Sequence, residues 1–360
     1  METVRVNLAE RTYDIQIGAG NLAQVGRFLA DRAKVTHVVV ITDDHVQKPH
    51  AMRVAENLGQ QDIEVDVISI KPGEESKLLE VAAGLWEGLL EIGADRKTVV
   101  AAVGGGVVGD LAGFIAATYA RGLRFLQVPT SLLAQVDSSV GGKVGINLPE
   151  AKNMVGAFLQ PLGVLIDTTT LTTLPANEYH AGLAEVVKYG VILDAEFFKY
   201  LEANADALAE RKDDVLVRVI ARCCQLKADV VEKDEREESG LRAVLNFGHT
   251  FGHAFETLLG YGTLLHGEAV AIGMVCAVRL AAQLGRIDST LVDRLRKLLQ
   301  VFGLPVDVPM LNRDKVLDAM MHDKKVQHGQ LHFVLPSRMG HVELVGDIDP
   351  ANVRAALEDQ

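Results

Sequence analysis

Residues 97–119 read KTVVAAVGGGVVGDLAGFIAATY. Thr98 to Val103 is a short apolar run rich in β-branched residues, the composition of a strand covered on both faces. Gly104-Gly105-Gly106 ends it, and from about Gly109 to Tyr119 apolar residues recur at helical spacing. A strand, a glycine turn and a helix in direct succession predict a parallel α/β sheet. The same alternation extends outward. Thr36–Asp43, Ile63–Lys71 and Arg124–Pro129 read as strands, with Ala51–Gly59 and Lys77–Ile92 as helices between them. Residues 3–8 and 13–18 flank Ala9 to Thr12 and predict a hairpin at the sheet's edge. Thr130 to Asn153 shows little regular pattern, and a loop that long inside a compact domain is usually functional.

The character changes at Asp167, where a threonine-rich segment runs to Pro175. From Glu178 almost every segment has helical period, with helices expected at about 178–190, 194–209, 212–233, 242–259, 267–284 and 288–302, and a small hairpin at 330–345. The expectation is an α/β, Rossmann-like nucleotide-binding domain over 1–175 and a mostly α-helical domain over 176–360. Two domains are the usual number for 360 residues.

With 36 Lys+Arg against 48 Asp+Glu the formal net charge is −12, and no Lys/Arg-rich block stands out, which argues against nucleic acid as the main partner. Local basic residues could still bind a small anion. The longest apolar run, Ala269 to Val278, falls short of the roughly 20 residues of a spanning helix. The N-terminal residues lack a signal-peptide pattern, and Cys223, Cys224 and Cys276 form no CxxC pair, which fits a reducing compartment. A cytoplasmic protein without membrane attachment is expected.

Four polar residues mark the segment Leu241-RAVLNFGHTFGHAFE-Thr257. In one continuous helix, Arg242, Asn246, His249 and His253 would share a face. Burying that stripe is expensive unless something occupies it. Glu185 and Lys188 lie one turn apart and by themselves read as an ordinary ion pair on a solvated face. His266 opens the apolar helix. Two histidines and one carboxylate from three helices would leave coordination positions open, as a catalytic zinc needs, but spacing alone does not say which two histidines bind. HTFGH lacks the glutamate of a metalloprotease HExxH motif. The turn Gly104 to Asp110 suits a pyrophosphate and equally a tight turn requiring positive φ. Asp137 to Asn147, with Lys152 and Asn153 beyond, offers glycines beside Lys143 and Lys152 as an anion cradle. These lysines, with Lys227 and Arg242, could surround a substrate bearing phosphate and carboxylate in a cleft between domains.

Taken in order, the motifs resemble the 3-dehydroquinate synthase family, a branch of the sugar-phosphate cyclases, in its bacterial single-function form. The matching stretches are Gly73–Lys77, Gly104–Gly122, Val128–Asn147, Ala184–Lys188, Lys227 with Asp234–Glu237, Leu245–Glu256, Leu265–Val270 and His322–Lys325. The resemblance implies Glu185, His249 and His266 as ligands of one divalent metal per subunit, zinc or alternatively cobalt. It implies NAD+ contacts from Asp43, Glu74, Lys77, Gly106, Val107, Val108, Gly109, Asp110, Thr130, Ser131, Lys143, Lys152, Thr170, Leu171, Thr172 and Thr173. His253, Lys188, Lys227, Asp137 and Asn246 would be catalytic. Substrate would be held by Lys143, Lys152, Asn153, Arg242, Asn246 and Lys324 or Lys325, with Arg121 offered to the neighbouring subunit of a homodimer. The implied reaction turns 3-deoxy-D-arabino-heptulosonate 7-phosphate into 3-dehydroquinate and phosphate, in the shikimate route to chorismate and aromatic amino acids. The rivals are another sugar-phosphate cyclase, a metal-dependent polyol dehydrogenase and a non-catalytic NAD-binding sensor.

Overall fold

The computed structural model describes residues 1–149, 151–260, 262–321 and 331–358. They form two compact units, Met1–Leu174 with Asp213–Arg236, and Pro175–Lys212 with Glu237–Gln360. The division differs in one respect from the expected 1–175 and 176–360, because residues 213–236 belong with the first unit.

The first unit is built on strands β1 (Glu2–Val6), β2 (Tyr13–Gly18), β3 (His37–Asp43), β4 (Glu64–Ile70), β5 (Val99–Gly104), β6 (Arg124–Pro129), β7 (Lys143–Leu148), β8 (Ala151–Phe158) and β9 (Val164–Asp167). Seven of them form one sheet in the order β1-β2-β9-β6-β5-β3-β4. β1 is the antiparallel edge, and the other neighbouring pairs are parallel. Helices α1 (Val25–Ala30), α2 (Met52–Gly59), α3 (Leu79–Glu91) and α4 (Gly106–Thr118) cover it. Alternate strand residues enter opposite cores, the two-residue period of a pleated strand. Val38, Val40, Ala101 and Val103 pack with Phe28, Leu29, Val54 and Leu58 of α1 and α2. Val39, Ile41, Val100 and Ala102 pack with Leu85 and Leu89 of α3 and with Leu111 and Ile115 of α4.

β3 leads outward to β4, whereas β5 leads to β6 on the other side. Neighbouring β3 and β5 therefore flank the point where strand order reverses, and the crevice beyond their carboxyl ends is where such sheets bind ligands. Asp43 closes β3 there, and Gly104 closes β5.

The stretch Thr130 to Asn153 is more regular than expected, with a helical turn at Ala134–Ser138 and the hairpin β7–β8. Its strand pattern was hidden because β8 is mostly exposed and buries no alternate face. β9, only four residues long, was likewise not anticipated.

The second unit begins with α5 (Ala176–Leu193), α6 (Ala195–Ala203) and α7 (Ala205–Ala209). The chain then returns to the first unit as α8 (Asp213–Val231), which packs on β1 and β2 and explains the shifted boundary. It re-enters the second unit with a 3-10 turn, Leu241–Asn246, then α9 (His249–Leu259), α10 (His266–Gln283), α11 (Ser289–Val301), α12 (Arg313–Met321), the hairpin β10 (Phe333–Arg338) and β11 (His341–Val345), and α13 (Pro350–Ala356). The central helix is α10, packed against α5, α9, α11 and α13. It meets α5 and α9 through glycine. A Cβ on Gly267 would lie 1.9 Å from the carbonyl oxygen of Ala181, and one on Gly273 would lie 2.0 Å from that of Gly248.

Gly273→Ala therefore forces α9 off α10. The expected strain of about 1–3 kcal/mol lowers Tm by roughly 2–10 °C in calorimetry. Gly84→Ala is the control. It sits on the exposed side of α3, where an added methyl meets nothing within 4 Å, and should stabilise by about 0.5–1 kcal/mol. Equal behaviour of the two variants would contradict the close-contact account.

Candidate active site

In the second unit, α5 carries Glu185 while His249 and His266 are the first residues of α9 and α10. The two glycine contacts bring these two helix starts and the middle of α5 together, and one donor atom from each of the three residues lies within 4.8 Å of the other two. Glu185 is 1% exposed, and neither of its carboxylate oxygens accepts a hydrogen bond. Its charge is paired with Lys188, itself 1% exposed. The pair is thus buried, where the sequence suggested a solvated face. His249 Nε2 stands 3.7 Å from Glu185 Oε1. Its Nδ1 lies 3.1 Å from the carbonyl of Phe247, which fixes the proton on Nδ1 and leaves the lone pair on Nε2. His266 Nδ1 lies 3.5 Å from Glu256. Burial disfavours the His266 cation, but the hydrogen bond and charge of Glu256, with Glu185, more than offset this and hold its pKa above the usual value. A buried carboxylate without hydrogen bonds beside two imidazoles fits a divalent cation.

The four polar residues of 241–257 do not share a helix face. Phe247 leaves helical geometry and Gly248 is left-handed at φ 80°, so Arg242 and Asn246 lie on the preceding 3-10 turn. Gly248 is held there by its packing on α10, an interaction that helical spacing does not reveal. His253 remains near the triad, its ring centroid 5.6 Å from that of His249 and 6.2 Å from that of His266. Arg242, 3% exposed, has its Nε 3.3 Å from Glu237.

In the first unit, several of the residues expected to contact NAD+ follow the carboxyl ends of sheet strands: Asp43 closes β3, the turn Gly106–Asp110 follows β5, and Thr130 and Ser131 follow β6. The Asp43 carboxylate accepts the N–H groups of His45 and Val46 at 2.9 and 3.1 Å. Gly106 opens α4, so the helix N-terminus begins at the glycine turn itself. The Val108 side chain is wholly buried, which leaves only its main chain for a ligand. Thr130 donates its N–H to Gly104, and Ser131 faces Gly105. The threonine segment is a 3-10 helix capped by Asp167, which accepts from Thr169. Within it, Leu171 is fully buried, Thr172 bonds back to Thr169, Thr170 bonds Gln135, and Thr173 lies 2.7 Å from His50. Lys77, 3% exposed, reaches Asp110 at 2.8 Å and Asn153 at 2.6 Å. Burial disfavours its ammonium, but Asp110 and Glu74 more than offset this and raise its pKa. Lys227 of α8 donates to the Asp137 carbonyl at 2.6 Å and pairs with its carboxylate at 2.9 Å.

Lys143 and Lys152 are not side by side. Lys143 pairs with Phe158 and Leu148 with Ala151, which sets the lysines at opposite ends of the hairpin, about 13 Å apart along the strand at 3.3 Å per residue. Lys152 is adjacent to Asn153, so of the expected cradle residues those two stand together and Lys143 stands apart from them. Arg121 is exposed on a turn with Ala120, itself and Gly122 at positive φ. Lys324 and Lys325 lie outside the described residues. Sequence reasoning missed Asp167, fully buried, whose carboxylate accepts from Gly20, Leu22 and Thr169. It also missed Glu256, whose only signal was its place one turn after His253.

The family models described as 3-dehydroquinate synthase N-terminal and C-terminal match residues 67–181 and 182–326. The 3-dehydroquinate synthase of Rhodopirellula baltica is 50% identical over 363 residues, covering 99% of this chain and 97% of that one. Among solved structures, 2-deoxy-scyllo-inosose synthase complexed with carbaglucose-6-phosphate, NAD+ and Co2+ superposes with TM-score 0.90 at 28% identity, covering 99% of each chain. The 2-epi-5-epi-valiolone synthase of Streptomyces hygroscopicus, with NAD+ and Zn2+ bound, superposes with TM-score 0.89 at 30% identity, covering 98% of this chain and 97% of that one. With both domain models matched in order and half its residues shared over nearly its whole length, the chain belongs to the 3-dehydroquinate synthase family.

Proposed function

We propose that the chain is a carbon-oxygen lyase that converts 3-deoxy-D-arabino-heptulosonate 7-phosphate to 3-dehydroquinate and phosphate. The observation that carries the reading is the donor set of the buried Glu185 with the partly buried His249 and His266, one donor atom from each lying within 4.8 Å of the other two. Glu185, His249 and His266 would hold a divalent metal. Asp43, Glu74, Lys77, the turn Gly106–Asp110, Thr130, Ser131, Lys143, Lys152 and the segment Thr170–Thr173 would hold NAD+. When bound, the metal polarises the C5 oxygen and NAD+ takes up and returns the C5 hydride, so that no net NADH accumulates.

The chain's own residues bind and orient. Lys152 and Asn153, with Lys143, hold the phosphate, whose oxygens are placed to take the C6 proton as phosphate departs. Arg242 presents a planar fork to the carboxylate. Asn246 and His253 face the substrate hydroxyls, with His253 relaying protons among them. Lys188 is held by Glu185 and Lys227 by Asp137, so each ammonium donates from a fixed position. Holding the opened intermediate in a reactive conformer favours the intramolecular aldol closure, since well-oriented intramolecular steps gain effective molarities of about 10⁵ M or more. We further propose a homodimer in which Arg121 reaches the neighbouring subunit's phosphate site. The setting would be cytoplasmic, and among the described residues no helix is long and apolar enough to cross a membrane.

Metal-loaded protein with catalytic NAD+ should release phosphate from the heptulosonate phosphate while absorbance at 340 nm stays flat, and a chelator should abolish the release. Stoichiometric NADH without phosphate would identify a dehydrogenase, and turnover of glucose 6-phosphate instead would identify another cyclase. Glu256→Gln, which loosens His266, should weaken metal affinity by about 10–100-fold in chelator competition; unchanged affinity would remove Glu256 from the site.

A further inference from the structure

Asn147 is the residue through which the two sides of the first unit's ligand site are joined. It closes the Val128–Asn147 stretch without a role of its own there, yet it is 8% exposed and makes three hydrogen bonds in three directions. Its main-chain N–H donates to the Lys77 carbonyl at 2.7 Å. Its side-chain Nδ2 donates to Glu74 Oε1 at 2.7 Å, and its Oδ1 accepts the Asn153 N–H at 2.8 Å. The amide orientation follows from these partners, because a flipped amide would set oxygen against carboxylate and NH2 against N–H.

Each partner needs what Asn147 supplies. Asn153 sits at φ 54°, a left-handed conformation that asparagine tolerates better than most residues with a side chain, and here its N–H is fixed on Asn147. The Lys77 ammonium closes the circuit by donating to Asn153 Oδ1 at 2.6 Å while pairing with Asp110. The Glu74 side chain is 40% exposed, and among the described residues its other holder is Lys77, 3.6 Å away. Glu74, Lys77 and Asp110 belong to the proposed cofactor side, and Asn153 to the proposed substrate side.

We infer that Asn147 is a positioning residue that, alongside the direct Lys77–Asn153 bond, locks the cofactor loop Glu74–Lys77 and the phosphate-side Asn153 into one geometry for NAD+ and sugar phosphate. The inference rests on the functional reading above. It makes a specific demand on polarity: Asn147 must donate to position 74 and accept from position 153.

The test reverses one bond while keeping the other. Asn147→Asp retains an acceptor for Asn153 but places a carboxylate against Glu74. Glu74→Gln in that background restores a donor and acceptor pair with the direction exchanged. NAD+ affinity is measured by direct titration, which requires no turnover, and substrate KM and kcat by phosphate release, with Tm followed for every variant. Asn147→Asp and Asn147→Ala should each weaken NAD+ binding and raise substrate KM by about tenfold, the loss expected for one hydrogen bond to a charged group. The Asn147→Asp/Glu74→Gln pair should bind NAD+ within about threefold of Glu74→Gln alone. Wild-type affinity in Asn147→Asp, or a double variant about tenfold or more weaker than Glu74→Gln alone, overturns the inference. A lowered Tm shared by the single variants with no recovery in the pair does the same. Phosphate release by the wild-type protein in the same assay tests the function itself, so the two failures are told apart.

Discussion

The second unit depends on a contact between main chains without side chains between them. α10 lies against Ala181 of α5 at Gly267 and against Gly248 of α9 at Gly273, at distances where any Cβ would overlap a carbonyl oxygen. Two helices held this closely fix where their first residues lie. Those first residues are His249 and His266, and Glu185 is one turn along α5 from Ala181. The donor set is therefore a consequence of backbone packing at Gly267 and Gly273.

The buried lysines of each unit follow a second rule. The buried lysines each stand against a carboxylate: Lys77 against Asp110, Lys188 against Glu185 and Lys227 against Asp137. An unpaired buried ammonium would shed its proton, whereas a paired one stays charged at a defined position. A chain with net charge −12 can thus present cations to an anionic ligand without a broad basic surface. The pairs act as positioned donors more than as a field, which suits recognition of a particular arrangement of oxygens.

Much of the α/β sheet was legible in the sequence because β3 and β5 are buried on both faces, and an uninterrupted Val, Ile and Ala run has few other uses. The helices α5 and α10 were legible for the same reason. What escaped was set by partners distant in sequence. β8 exposes most of its residues and is a strand only because β7 lies beside it. The helix expected over 242–259 breaks at Gly248 because α10 demands it there. α12 and α13 are short and carried no clear period. The resemblance named Glu185, His249 and His266, and the fold brings them together, but it could not show that Lys143 and Lys152 stand at opposite ends of a hairpin. Asp167 gave no signal and Asn147, though it closes a matching stretch, gave none of its role, since an Asp or Asn that bonds main chain is indistinguishable in sequence from one in an ordinary turn.

The chain passes between the two units three times, leaving the first at Leu174, returning at Asp213 and departing again after Arg236. During synthesis the sheet emerges first, but α8, which packs on β1 and β2 and brings Lys227 to Asp137, follows only after 38 residues of the other unit have been made. The nascent sheet must therefore wait with that face incomplete. Completion of the first unit is tied to the arrival of a helix encoded beyond α5, so neither unit can be finished as an uninterrupted stretch of translation. The seating of Lys227 on Asp137 is thereby postponed until the polypeptide is nearly two-thirds made.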